Sequence, residues 1–141
     1  MILYLDTSSM VKLYVEEQES AQVEMLVKSS GTTATSIVAY AEARAAFARR
    51  HRERSIAPEE YDRIKKAFNQ DWANFFVLFT NREMIRMAGD LAEKHALRGF
   101  DAIHLASALM LQQETSIPIL FSCFDTNLEK AAAFEGLCPE K

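Results

Sequence analysis

The chain has 141 residues, the length of one ordinary domain, with 49% hydrophobic and 26% charged residues and only four glycines and three prolines. Such values exclude a collagenous, loop-dominated or disordered polymer and leave enough material for a core that buries roughly two-thirds of the unfolded surface. Twenty acidic residues against sixteen basic ones give a net charge of −4, so bulk charge offers no nucleic-acid signature and any such role must rest on a site. Cys123 and Cys138 have neither zinc spacing nor a disulfide framework around them. The N-terminus has no basic leader, and no uncharged apolar run approaches the ~18 residues of a membrane span. The expectation is a soluble, cytoplasmic protein with one domain over residues 1–141.

In chain order, Ile2 to Leu5 form a short apolar run of strand formers ended by Asp6. Its length predicts a strand buried on both faces. Asp6 is a potential N-cap for a helix carrying Met10, Val11, Leu13, Tyr14 and Val15. A second helix is expected over Ser20–Ser29, and a second strand over Thr32–Thr35. Ser36 precedes a long helix from Ile37 to about Arg52, and Pro58 opens another through Trp72. Phe75 to Phe79 are expected to form a third buried strand, its phenylalanines core rather than a base-stacking platform. Helices follow over about Asn81–His95 and Asp101–Gln113, then a strand over Ile119–Cys123 and a short helix over Leu128–Phe134. A further edge strand after Leu137 is expected to be short or absent.

Short apolar strands alternating with helices predict an α/β fold with a parallel sheet covered on both sides. Ligands of such sheets lie beyond the C-terminal strand ends, where Asp6 and Asp125 fall. Glu42 is conspicuous because its helical neighbours Val38, Ala39, Ala45 and Ala46 are all apolar, so something positive should meet it. Asp101 opens a nearly apolar helix and reads either as its cap or as a site residue. His104, one turn on, reads as packed or hydrogen-bonded rather than as a ligand. Four carboxylates converging on one sheet edge repel one another, and a hard divalent cation such as Mg²⁺ is the usual compensation. With no His/Cys set and no nucleophile–base pair, metal-assisted phosphodiester hydrolysis fits best. Arg44, Arg49, Arg50, His51, Arg52 and Arg54 exceed what a helix dipole requires and suit phosphate or an acidic partner.

Four segments together resemble a PIN domain, specifically a VapC-type toxin ribonuclease: Leu5-Asp-Thr-Ser8, Thr35-Ser-Ile-Val-Ala-Tyr-Ala-Glu42, Arg98-Gly-Phe-Asp-Ala-Ile-His-Leu-Ala106 and Ser122-Cys-Phe-Asp-Thr-Asn-Leu128. The resemblance implies a three-layer α/β/α sandwich with a short parallel sheet. It implies Mg²⁺ or Mn²⁺ held by Asp6, Glu42, Asp101 and Asp125, with Ser8 helping to position water or phosphate. It further implies RNA as substrate, a homodimer, and a VapB-type antitoxin that occupies the active-site groove and carries the only link to DNA. Two rival readings remain at this point. One is a non-catalytic PIN-like module binding protein or RNA. The other is an aspartyl phosphatase at Asp6, which lacks a second Asp two residues on, where Ser8 stands.

Overall fold

The computed structural model describes residues 1–139. Five strands form one parallel sheet: β1 (Ile2–Leu5), β2 (Thr33–Ser36), β3 (Phe76–Leu78), β4 (Ile119–Ser122) and β5 (Cys138–Pro139), in the order β3-β2-β1-β4-β5. Seven helices connect them: α1 (Thr7–Lys12), α2 (Ser20–Ser29), α3 (Val38–Arg52), α4 (Pro58–Trp72), α5 (Arg82–His95), α6 (Gly99–Thr115) and α7 (Thr126–Phe134). Beyond Leu137, the expected short edge strand is present as the two residues of β5.

Alternation along β1 divides the core in two, because successive strand side chains point to opposite faces. Leu3 and Leu5 pack with α1 to α4, where Phe47 and Phe68 meet edge to face at 5.4 Å. Tyr4 points the other way, among α5 to α7, and stacks on Phe121 at 5.4 Å. The result is the expected α/β/α sandwich, with the middle strands covered on both sides. Among the described residues no helix is long and apolar enough to cross a membrane.

The third strand departs from expectation. Among the described residues it pairs only with β2, at one edge of the sheet, and Phe76 and Phe79 are 53% and 72% exposed rather than core. An apolar run fixes a strand but not its place in the sheet.

The chain leaves β1 toward β2 and β3, then returns to the other side of β1 with β4 and β5. This reversal places a crevice between the C-terminal ends of β1 and β4, the usual ligand position in open parallel sheets. The Asp6 amide donates to the Ser122 carbonyl at 3.1 Å, so the two strand ends that bear Asp6 and Asp125 are tied together.

Candidate active site

All five residues singled out in the sequence line one cleft of about 640 Å³ at that crevice: Asp6, Ser8, Glu42, Asp101 and Asp125. They come from four separate segments of the chain. Asp6 and Asp125 are placed the same way, each directly after a strand and each the N-cap of the next helix. The Asp6 Oδ1 accepts from the Ser9 amide at 2.9 Å, and the Asp125 Oδ1 from the Leu128 amide at 2.8 Å. Capping therefore consumes one oxygen of each carboxylate and fixes the other relative to the cleft.

Asp6 is 3% exposed. Burial raises its pKa, the nearby Asp101 carboxylate adds to the rise, and His104 with the Ser9 and Ser8 hydrogen bonds opposes it. The Ser8 hydroxyl donates to Asp6 Oδ1 at 2.7 Å and accepts from the Phe124 amide at 3.2 Å. Ser8 thus links the capped carboxylate to the segment that follows β4.

Glu42 has the opposite balance. Burial pushes its pKa up, but hydrogen bonds from His104 and Thr7 outweigh burial and hold it below the ordinary glutamate range. Thr7 Oγ1 donates to Glu42 Oε1 at 2.5 Å, and His104 Nε2 lies 3.1 Å from the same oxygen and 3.0 Å from Thr7 Oγ1. A carboxylate only accepts, so Nε2 carries its hydrogen. The other ring nitrogen shares a hydrogen bond of 2.8 Å with the buried Tyr4 hydroxyl. The partner that the apolar helix face demanded is thus a histidine N–H donor from α6, not an arginine side chain hydrogen-bonded to Glu42.

Asp101 corrects the cap reading. The helix begins at Gly99 with Arg98 as its N-cap, and Asp101 sits within the first turn. Its Oδ2 instead meets Arg98 Nε at 3.2 Å, and Arg98 Nη2 lies 3.9 Å from Asp125 Oδ2.

Thr7 and Arg98 received no role from the sequence although both fall inside quoted motifs. The partners of Thr7, and Asp125 for Arg98, lie in distant segments that local patterns do not reveal, whereas the Arg98–Asp101 pair stands at the i, i+3 spacing of one helix turn. The arginine cluster divides. Arg49 and Arg50 line the cleft, and Arg49, Arg50 and Arg52 line a groove that adjoins it at Glu42. Arg44 instead packs on the Tyr40 ring and donates to its hydroxyl at 2.8 Å.

The residues suit a hard divalent ion by donor chemistry. The set is all oxygen, and no cation among the described residues is bonded to the buried Asp6 carboxylate. Among the described residues no three such groups already converge to enclose an ion.

The PIN domain family profile matches residues 3–133. Ribonuclease VapC45 of Mycobacterium tuberculosis (strain CDC 1551 / Oshkosh) is 35% identical over 77% of this chain and 75% of its own. The crystal structure of Mycobacterium tuberculosis VapC20, a sarcin-ricin loop cleaving toxin, aligns with a TM-score of 0.68 at 16% identity, covering 92% of this chain and 94% of that one. A toxin–antitoxin complex from Klebsiella pneumoniae aligns at 0.56 with 18% identity, covering 84% and 83%. With four acids gathered at the β1/β4 crevice and a profile match over nearly its whole length, the chain belongs to the PIN domain family and is of VapC type.

Proposed function

We propose that the protein is an endoribonuclease dependent on Mg²⁺ or Mn²⁺, the toxin of a VapBC-type toxin–antitoxin pair. The observation that carries this reading is the cleft that gathers Asp6, Glu42, Asp101 and Asp125 at the switch point of the sheet. The 35% identical ribonuclease supports the reaction class. The structural likeness to a toxin–antitoxin complex supports a small antitoxin partner.

In this reading Asp6, Asp101 and Asp125 hold the ion, and Glu42 completes the site. A bound divalent ion supplies charge to offset the scissile phosphate and acidifies water for attack. The chain contributes the positions. Helix N-termini orient Asp6 and Asp125, Thr7 and His104 fix an ionised Glu42, and Ser8 holds Asp6 to the segment after β4. Family resemblance supports a homodimer in the cytoplasm, with DNA reached only through the antitoxin.

The test is cleavage of a mixed RNA pool by purified, antitoxin-free protein with Mg²⁺ or Mn²⁺ against EDTA, with Asp101→Asn in parallel. Cutting that requires the ion and disappears in the variant is expected. A folded, ion-loaded protein that leaves the pool and structured transfer and ribosomal RNAs intact would overturn the proposal.

A further inference from the structure

Four carboxylates around one cleft need a positive charge even before an ion arrives, and Arg98 stands where that charge is needed. Its Nε lies 3.2 Å from Asp101 Oδ2 and its Nη2 lies 3.9 Å from Asp125 Oδ2. One guanidinium therefore bridges two acids from different helices. Asp125 uses Oδ1 as the helix cap, so the oxygen facing Arg98 is the one left for the cleft. Among the described residues neither Asp101 nor Asp125 pairs with any other cation.

The backbone of Arg98 is anchored while its side chain is free to leave. Its carbonyl accepts the Ala102 amide at 3.0 Å at the start of α6. The preceding turn passes through Ala96 at φ 53°, and Asn127 Nδ2 donates to the His95 and Ala96 carbonyls at 3.2 and 3.1 Å. Beyond that fixed base the arginine side chain is 82% exposed. An ion pair so exposed is weakly held, weakly enough for a divalent ion to break.

We propose that Arg98 is a resident cation of the acidic cluster, which a divalent ion must displace from Asp101 and Asp125 in order to bind. This rests on the metal-dependent reading above. Arg98 would thus act as a positioning residue for the empty site, stabilising it and weakening its grip on the ion.

The test is Mn²⁺ titration by calorimetry of the intact protein, Arg98→Ala and Arg49→Ala. The Arg49 variant removes the same charge from the same cleft without uncovering an acid of the cluster. Arg98→Ala should bind Mn²⁺ about two- to fivefold more tightly, the factor set by losing an exposed ion pair. Arg49→Ala should change less. In parallel, Mg²⁺ should shift the Arg98 Nε–H signal in a ¹H–¹⁵N spectrum, that signal being assigned by its loss in the variant. Unchanged or weaker Mn²⁺ binding by Arg98→Ala overturns the proposal while the metal reading stands, as does an Arg98 signal that ignores saturating Mg²⁺. If neither the intact protein nor Arg98→Ala binds the ion, the metal reading fails and this proposal falls with it.

Discussion

His104 Nε2 lies 3.1 Å from Glu42 Oε1, joining a ring that is 1% exposed on α6 to a carboxylate on α3 at the cleft. The ring is held from behind by the Tyr4 hydroxyl at 2.8 Å. The position of Glu42 is therefore set from the core outward, through Tyr4 on the central strand and His104.

Replacing His104 tests that linkage. His104→Ala removes the Tyr4–His104 hydrogen bond and opens space beside the Tyr4 ring, which the imidazole meets edge to face at 5.8 Å. The lost buried hydrogen bond and the lost packing of the ring together should lower stability by about 2–4 kcal/mol, measured by urea denaturation. Cleavage should fall on the order of tenfold to a hundredfold as Glu42 loses its support. Tyr4→Phe should give a smaller loss of both. Wild-type activity in a folded His104→Ala protein would show that Glu42 needs no such support.

Asp101 and Asp125 look alike in sequence, each an acid near the start of a helix, but the structure separates them. Asp125 caps α7 and Asp101 caps nothing. Asp125→Ala should therefore cost about 0.5–2 kcal/mol of stability. Asp101→Ala should stay within ~0.5 kcal/mol, because its one ion pair is with an exposed arginine. Both should lose cleavage. Equal thermal destabilisation of the two would contradict their assigned places.

These contrasts show where the sequence speaks and where it is silent. That the four acids would share one sheet edge was legible in outline: Glu42 breaks an apolar helix face, Asp101 opens a nearly apolar helix, and Asp6 and Asp125, each also readable as a plain helix cap, follow short apolar strands placed by their length. Helix starts were less so. The apolar stripe signals where burial begins, at Ala102 or Leu128, whereas those helices begin earlier at Gly99 and Thr126, where caps and chain entry decide; the first helix begins at Thr7, directly after the expected cap Asp6. Strand order was not legible, so Phe76 and Phe79 read as core when they lie exposed at one edge of the sheet. Thr7, the partner of Glu42 and the reach of Arg98 to Asp125 depend on contacts across tens of residues. No local periodicity encodes such contacts.

The opposite pKa directions of Asp6 and Glu42 give opposite pH behaviour. Asp6 is raised above 3.8, so its ionisation opposes folding; that penalty is absent below 3.8 and complete above its folded value. Glu42 is lowered below 4.5, so its charge contributes stability above 4.5 that is lost as pH falls through its folded value. Asn retains the capping oxygen at position 6. Without divalent ions at pH 7, Asp6→Asn should melt above the unaltered protein and Glu42→Gln below it. Both differences should shrink on acidification, which melting curves at successively lower pH would follow. Adding Mn²⁺ should raise the melting temperature of the unaltered protein and leave Asp6→Asn unmoved. A lower melting temperature for Asp6→Asn at pH 7 would contradict the burial penalty on Asp6.

The division of the arginines makes a last prediction about RNA. Arg49 and Arg52 line the groove that leads from Glu42, and among the described residues Arg49 pairs only with the exposed Glu53, at 3.4 Å. Arg50 is committed to Glu17 at 2.6 Å, whose other oxygen takes Lys12 at 3.3 Å. Arg44 is committed to Tyr40. Phosphates entering the cleft would therefore meet Arg49 and Arg52 first. In an Asp101→Asn background that binds without cutting, Arg49→Ala should weaken single-stranded RNA binding. It should also flatten the slope of log K against log salt by about 0.7, the loss of one phosphate contact. Arg44→Ala should leave the slope unchanged. Fluorescence anisotropy with a labelled RNA over a range of salt would read both. Equal slopes for Arg44→Ala and Arg49→Ala would remove the groove from the RNA path.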